Sequence, residues 1–446
     1  MKTFDTVVIG AGVSGLTVAR LLAQAGQSVV VLEARDRVGG RTRTLRADGL
    51  TTDVGASWIH GIDDNPLTEL VSAFGMRMIE FTVGSYQPDG RPIAYYGPTG
   101  ERLSDEAVQK FADDIRDFDG HLAVAIDASG PNTTYLDTVE AALAGLHWES
   151  DRAERVREFL LHRSEEQYGV WAGALAAHGL DDDSIEGDEV VFPDGFDSLA
   201  KHLAEGLDIR LEHVVTRIKW TRDGVAVSTA QGEFTAARAV VTVPIGVLKS
   251  PDFVFEPALP ELHARALAGF QMNNFEKIFL RFPTKFWDDG VYVIRQQGEA
   301  GTWWHSWYDL TPLQGVPTLL TFAAGPSAIE TRRWRDDRIV ESVLEALRGL
   351  YGQRVETPDH VLITNWRDDP YSRGSYAYLR PGWHTEDHDL LATPIGGVLH
   401  LAGEATWTED PATVTAALRS GHRAAESILG GALPFSGLPR ALAADA

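Results

Sequence analysis

Thr6-Val-Val-Ile-Gly10-Ala-Gly12-Val-Ser-Gly15-Leu, followed by Val29-Val-Val-Leu-Glu33-Ala-Arg-Asp-Arg-Val-Gly39-Gly40-Arg41-Thr42, is the stretch that decides the fold. The apolar run Val7 to Ile9 reads as a buried parallel strand and the three glycines as a turn. A helix is predicted from about Val13 to Ala25, stopped by Gly26. Together these form a dinucleotide-binding βαβ unit. Gly10 permits the tight turn, and Gly12 lets backbone amides approach a pyrophosphate at the positive end of the helix. Gly15 lets the helix lie close on the strand. Glu33 closes the second strand, where its carboxylate can accept hydrogen bonds from ribose hydroxyls. Strand before, helix after and acid at the required distance agree, but the unit alone leaves NAD and FAD open.

Composition sets the outer limits. A chain of 446 residues exceeds one ordinary core, and two or three domains are expected. Hydrophobic content of 44% and charged content of 23% are those of a globular protein. No apolar run reaches the roughly 18 residues of a membrane span. The first strand begins within a few residues of Met1, so no signal peptide and no membrane association are expected, and a soluble, cytoplasmic enzyme is the default. The chain has no cysteine, which excludes disulfides, thiolate nucleophiles, cysteine metal sites and a cysteinyl link to a cofactor. No metal site is expected. The formal net charge of -24 argues against nucleic acid, which needs a basic footprint. It would favour a cationic substrate, and it serves solubility equally well.

Further along, Asp53-Val-Gly55-Ala-Ser57-Trp58-Ile-His60-Gly61 reads as a strand leading to a loop near the cofactor. Pro66 to Met78 reads as a short helix, and Ser104 to about Arg163 as a helical layer with a charged outer face. Short strands resume around Val190-Val-Phe-Pro193-Asp-Gly195. Residues 209–218, 225–229 and 234–243 look like a small antiparallel layer with turns at Asp223-Gly224 and Gln231-Gly232. Ala239 to Pro244 then reads as another buried strand. Strand formers dominate Asn274 to Ala324, and a helix from about Asp337 to Leu350 follows, so a second domain with a mixed sheet is expected. Within it, Trp303, His305 and Trp307 share one strand face and Trp304, Ser306 and Tyr308 the other. One face packs on the core and the other lines a substrate tunnel, and Trp304 is a candidate substrate contact. Gly397 to Glu404 returns to a buried strand, Thr413 to Leu429 is a helix, and residues after about Gly431 read as a frayed tail.

Two later segments decide the cofactor. Gly39-Gly40-Arg41 brings backbone and a guanidinium, whose fork suits phosphate, close to the first turn. The strand end at Ala402-Gly403-Glu404, followed by a helix, supplies another helix-terminus site, usable for a ribityl chain or flavin ring. Three contact zones from distant segments imply a long cofactor, and FAD fits better than NAD.

Leu32-Glu-Ala-Arg-Asp-Arg-Val-Gly-Gly-Arg-Thr42, Gly55-Ala-Ser-Trp-Ile-His-Gly61, Val243-Pro-Ile-Gly-Val-Leu-Lys249, Lys277-Ile-Phe-Leu-Arg-Phe-Pro283, Arg373-Gly-Ser-Tyr376 and Ala402-Gly-Glu-Ala-Thr406 stand in the order found in the flavin-containing amine oxidases. From about residue 5 to 430 the chain most resembles the polyamine oxidases, both the plant type and the spermine-oxidase relatives. The resemblance implies an α/β fold, with a Rossmann-like FAD domain (1–65, 188–265 and 393–430) interleaved with an α+β substrate domain (66–187 and 266–392). Residues 431–446 would form the tail. It implies cofactor contacts at Gly10, Gly12, Gly15, Glu33, Arg35, Gly40, Arg41, Trp58, Val215, Trp366, Glu404, Thr413 and Val414.

Lys277 resembles the lysine that holds a water against flavin N5 and aids reaction of the reduced flavin with dioxygen. Tyr376 resembles one wall of an aromatic clamp around the substrate amine. Ser375 stands where monoamine oxidases carry the cysteine that bonds FAD, so the cofactor should be non-covalent. Thr413 takes the place of the second clamp wall, as in the spermine-oxidase-like and histone-demethylase-like members, and Thr415-Ala416 replaces the family's His-Gly pair. His60 resembles a residue that meets a substrate nitrogen, and reads equally as loop packing. Glu165, Glu166, Asp63 and Asp64 fall where the family places acids for substrate ammonium groups, though surface is the expectation for any one of them.

The reaction implied is oxidation of an amine C–N bond. Hydride passes to flavin N5, the imine hydrolyses to aldehyde plus amine, and dioxygen is reduced to hydrogen peroxide. The partners are then a small-molecule amine and dioxygen. Two alternatives stay open within the enzyme class: an L-amino-acid oxidase, with Arg91 or Arg373 for the carboxylate, or an oxidase of a specialised secondary amine. A non-catalytic flavin-binding module is the alternative of another class. A histone demethylase is disfavoured, because the chain shows no long helical insertion.

Overall fold

The computed structural model describes residues 3–47, 49–83, 92–179 and 186–442. Strand Thr3–Ile9 runs into helix Val13–Gln24 and on to strand Val29–Leu32, which lies parallel to the first. Val7 and Ile9 point into one apolar cluster and Val8 into another. Strands buried on both faces read as continuous apolar runs rather than alternations.

These strands belong to an eight-stranded sheet whose order is Val254–Glu256, Val215–Thr221, Gly224–Thr229, Gly232–Val241, Thr3–Ile9, Val29–Leu32 and Ile209–Arg210, with Leu399–Leu401 beside Gly232–Val241. The ten-residue strand Gly232–Val241 is antiparallel to Gly224–Thr229 through its first half and parallel to Leu399–Leu401 through its last three residues. Thr3–Ile9 pairs along its other edge. The antiparallel layer expected here is thus part of the nucleotide sheet itself. One long strand carries both pairings, and the two strands predicted around residue 239 are one.

The second sheet is six-stranded, in the order His360–Ile363, Phe275–Arg281, Thr318–Ala324, Ser306–Asp309, Val293–Gln296, Ile93–Tyr96. Its last pair is parallel and the others antiparallel, so it is the mixed sheet expected. Ile278 and Leu280 pack towards helix Asp336–Tyr351, through Val343 and Leu347. Phe279 packs on the other face with Val54 and Phe81. Side chains alternate along a strand, so Lys277 shares the face of Phe279. Helices Asp105–Asp127, Tyr135–Leu146 and Ser150–Tyr168 form the predicted helical layer as three separate rods around their own apolar cluster.

Two expectations are corrected. Trp304 is only 1% exposed and packs in the core with Trp307, its indole N–H donating to Ser342 Oγ at 2.9 Å. The strand begins at Ser306, so period-two alternation does not extend back to Trp304, and Tyr308 reaches the cavity instead. The segment after Gly431 is also docked through residue 440. Leu438 is fully buried, and the Arg20 guanidinium donates to the carbonyls of Leu438 (2.6 Å), Arg440 (2.9 Å), Glu205 (3.0 Å) and Leu203 (3.3 Å). An arginine inside the glycine-turn helix thus ties that helix to two other segments. Burial lowers its basicity, which Glu205 partly restores. Arg20→Leu removes a donor from four carbonyls, those of Leu438 and Leu203 buried, and is expected to cost about 2 to 4 kcal/mol, since an orphaned buried acceptor keeps its desolvation penalty. Denaturant unfolding of the holoprotein measures this.

Candidate active site

A cavity of about 470 Å³ runs from the glycine turn of the first sheet to the inner face of the second. At its near end Gly10 has φ +103°, and a Cβ on Gly15 would lie 2.0 Å from the Gly10 carbonyl oxygen. Only glycine allows the helix that close to the strand. A Cβ on Gly12 would meet nothing within 4 Å, so the first turn of the helix opens onto the cavity. Gly39 and Gly40 are both left-handed, at +98° and +55°, and fold the second turn back onto the first, with Gly39 N–H donating to Ala11 O at 2.8 Å. Glu33 is buried in the wall. Its two oxygens accept from the Ala11 and Arg35 amides at 2.7 and 2.9 Å. Burial pushes the carboxyl pKa up, against the pull of those amides.

Gly10, Gly12, Glu33, Arg35, Gly40, Arg41, Trp58, Val215, Trp366, Glu404, Thr413 and Val414 all line this cavity. Gly15 lies behind it and acts through packing. The arginines are not free forks. Arg35 grips Asp369 at 2.6 and 2.7 Å and Ser372 at 2.9 Å, tying the glycine unit to the loop that carries Trp366 and Tyr376. Arg41 donates to Glu404 Oε1 at 2.8 Å and to Ser375 O at 3.0 Å. Glu404 Oε2 and Trp58 Nε1 are buried without a hydrogen-bond partner among the described residues, whereas Trp366 Nε1 donates to Val54 O. The helix near Glu404 begins only at Val414, after one short 3-10 turn, so its N-terminus is at Thr413 rather than at Glu404. An open helix terminus for a diphosphate and a buried acceptor awaiting a hydroxyl are what a dinucleotide with a polyol chain requires. The residues present fit FAD.

Further in, Lys277 is buried, and its ammonium donates to Gly55 O at 2.7 Å, Ser57 Oγ at 2.5 Å and Asp53 O at 3.2 Å. Burial pulls its pKa down, opposed by the Asp53 carboxylate. Tyr376 donates to Gln167 O at 3.0 Å, and burial pushes its phenol up, so it stays neutral. Ser375 Oγ donates to Phe275 O. Thr413 spends its hydroxyl on the backbone, accepting from Ala416 N at 3.0 Å as the helix N-cap and donating to Asp410 O at 2.7 Å. His60, its side chain 45% exposed, pairs through Nδ1 with the fully buried Glu189.

The acids divide. Asp63 and Asp64 are exposed, as expected for either alone. Glu165 and Glu166 are not on the surface. Glu166 lines the cavity, where Tyr308 donates to it and His305 Nε2 lies 2.8 Å from Oε1. Glu165 lies behind it, next to His305, its carboxyl pushed up to about 7 by burial, against the pull of His305 and with the Glu166 charge adding to the rise. An acid pair on a charged helix reads as surface, and only the sheet packed against this helix shows which turn is covered. Tyr308, His305, Glu189 and Asp410 were missed as site residues. The placement of Tyr308 and His305 on opposite strand faces was the one signal available. Arg373 is exposed and pairs with Asp252, away from the cavity. Arg91 lies outside the described residues. Among these, the only arginines in the cavity wall are Arg35 and Arg41, both already on carboxylates.

A cradle for FAD joined to a cavity with a buried carboxylate and a tyrosine wall defines a flavin-dependent oxidoreductase. The sequence profile of the flavin containing amine oxidoreductases matches residues 13–429, and the chain belongs to that family. It is an amine-oxidising enzyme of the FAD class. Polyamine oxidase 4 of Oryza sativa subsp. japonica is 30% identical over 443 residues, 98% of this chain and 90% of that protein. Lysine-specific histone demethylase 2 of Homo sapiens is 30% identical too, but the match spans 95% of this chain and 53% of that protein. A structure of putrescine oxidase bound to putrescine superposes with a TM-score of 0.78 at 23% identity, covering 96% of this chain and 99% of that one. It confirms the fold. Among the described residues no helix is long and apolar enough to cross a membrane.

Because the Gly15 Cβ would meet backbone rather than a movable side chain, Gly15→Ala should weaken FAD retention by about tenfold or more. Flavin absorbance per protein after gel filtration reads this, with circular dichroism showing that the secondary structure persists.

Proposed function

We propose that this enzyme oxidises a C–N bond of a polyamine-like amine, with dioxygen as the final electron acceptor. The observation that carries this reading is Glu166, a carboxylate buried in the cavity wall and held below the ordinary carboxylate range. Burial alone would raise it, but the hydrogen bond and charge of His305, then Arg295 and the Tyr308 hydroxyl, outweigh that. A buried anion beside the tyrosine wall of the cavity is a site for a cation, because an unpaired buried ammonium costs several kcal/mol. Gln167, the next residue, holds the Tyr376 hydroxyl, so the anchor and the tyrosine wall are fixed by adjacent residues. An amine with two or more nitrogens suits this arrangement. One charged nitrogen pairs with Glu166, while the reacting nitrogen sits neutral beside Tyr376, where no side-chain base is needed.

When bound, FAD would supply the hydride acceptor for the C–N oxidation and the route by which two electrons, with two protons, reach dioxygen to give hydrogen peroxide, while water would convert the imine to aldehyde plus amine. The protein's share is to position the amine, keep the cavity dry and supply charge. Lys277 places a buried ammonium at the Gly55-Ala-Ser57 loop, where it supports the reaction with dioxygen. His60, held by Glu189, supplies a polar edge to the cavity. Among the described residues both cavity arginines are committed to carboxylates of the protein itself, which speaks against a substrate carboxylate there.

Anaerobic flavin bleaching with spermine, spermidine, their acetylated forms, putrescine and simple monoamines tests the reading. A polyamine should bleach the flavin and release peroxide in air, whereas silence on all of them with FAD bound rules the assignment out. Glu166→Gln should raise KM for the best polyamine by roughly tenfold to a hundredfold, about 1.4 to 2.8 kcal/mol, with a smaller change in kcat. Lys277→Met should slow reoxidation of the reduced flavin by about tenfold or more and affect reduction much less, which stopped-flow separates into half-reactions.

A further inference from the structure

Behind the Glu166 anchor lies a set of buried groups that the reaction does not itself use. Helix Ser150–Tyr168 supplies Glu158, His162 and Glu165, strand Val293–Gln296 supplies Arg295, and strand Ile93–Tyr96 supplies Tyr95. His305 and Tyr308 come from the neighbouring strand segment, and Tyr376 faces the cluster from the far wall. His162, Glu165 and His305 bring possible ligand atoms within 4.8 Å of one another. Their geometry does not suit a metal ion. The rings of His162 and His305 lie face to face, centroids 3.7 Å apart and planes 5° from parallel. Lone pairs of stacked rings lie in separate planes and cannot both aim at one ion, and Arg295 adds positive charge beside them.

The same geometry suits a carboxylate held in place from both oxygens. His305 Nε2 sits 2.8 Å from Glu166 Oε1, and the Tyr308 hydroxyl donates to Oε2. The His162 ring, kept neutral by burial and then by His305 and Arg295, covers the face of His305. We propose that His305 is a positioning residue that aims Glu166 into the cavity as the anchor for a substrate ammonium group, with His162 stacked behind it to hold its ring. This rests on the polyamine-type reading above. The imidazole edge against Oε1 and the Tyr308 hydroxyl on Oε2 fix the plane of the carboxylate, and each oxygen keeps a further lone pair for a substrate donor. Burial favours the protonated, uncharged acid, and the His305 donor works against that.

The test compares His305→Leu, which removes the donor, with His305→Gln, whose amide N–H can reach the carboxylate as Nε2 does. Glu166→Gln runs in parallel, with whichever of spermine, spermidine, their acetylated forms and putrescine bleaches the wild-type flavin fastest as the substrate and kcat/KM followed across pH. His305→Leu should raise KM about tenfold or more while kcat changes by about threefold or less, and His305→Gln should recover most of that loss. Without the donor, Glu166 protonates at higher pH, so less of it is ionised at a given pH and the acid limb of kcat/KM moves upward. Leu and Gln variants that match wild type in KM and pH profile would overturn the proposal. Equal losses in both without a shift of the acid limb would also overturn it, assigning His305 to packing alone. If His305→Leu does not retain FAD, His305→Asn decides: its shorter amide cannot reach Glu166, so it must show the raised KM and shifted limb that His305→Gln lacks. If every polyamine tried leaves the wild-type flavin yellow, or Glu166→Gln leaves KM unchanged for the one that bleaches it, the polyamine reading itself fails. A normal Glu166→Gln effect beside a silent His305→Leu sinks only the role of His305.

Discussion

The close approach of helix Val13–Gln24 to strand Thr3–Ile9 at Gly15 is the constraint on which the rest depends. The helix can start there only because position 15 has no side chain to strike the Gly10 carbonyl. Thr242 closes the same corner from the neighbouring strand, its hydroxyl donating to Ile9 O at 2.9 Å. Once the helix is seated, its first turn opens onto the cavity, Glu33 is capped by the Ala11 amide, and Gly39 folds over Ala11. Arg20 then pins the far half of the helix to the segments at 203–205 and 438–440. A local backbone requirement is thereby carried to both ends of the chain.

The second organising element is the pairing of buried carboxylates. Arg35 with Asp369, Arg41 with Glu404, His60 with Glu189 and His305 with Glu166 each join segments far apart in sequence around the cavity. Removing the basic member would leave a largely buried carboxylate without its partner, which costs more than the pair contributes. The pairs therefore hold geometry more than they add stability. Two leave an acid facing the cavity: Glu404 at the glycine-rich end and Glu166 at the tyrosine wall. This division matches a long cofactor meeting a cationic substrate.

Much of the nucleotide end was legible because its rules are local. Gly10, Gly12, Gly15 and Glu33 act through turn geometry and spacing along about two dozen residues, and a short apolar run announces the strand. Lys277 and Tyr376 were legible through the order of motifs, and strand alternation then explains why Lys277 faces inward. The acids of helix Ser150–Tyr168 were not. Charge on a helix looks solvated until something covers it, and strands 293–296 and 306–309, more than a hundred residues later, do the covering. Trp304 was misplaced because a period of two has meaning only where the strand exists. The segment after Gly431 was misread as frayed because its carbonyls meet their donor, Arg20, some four hundred residues away.

By itself the sequence determined the glycine turn, the acid that closes it, the absence of any cysteine to bond a flavin, and the alternation of two sheet-forming regions. Each follows from backbone sterics or side-chain chemistry within a short window. Only the tertiary structure decided which charges are buried and with whom: that Arg35 and Arg41 are committed, that Glu166 faces the cavity while Glu165 stands behind it, and that Tyr308 rather than Trp304 reaches the site. Burial and pairing are properties of surfaces brought together from distant segments, and no local pattern encodes which surface will cover which.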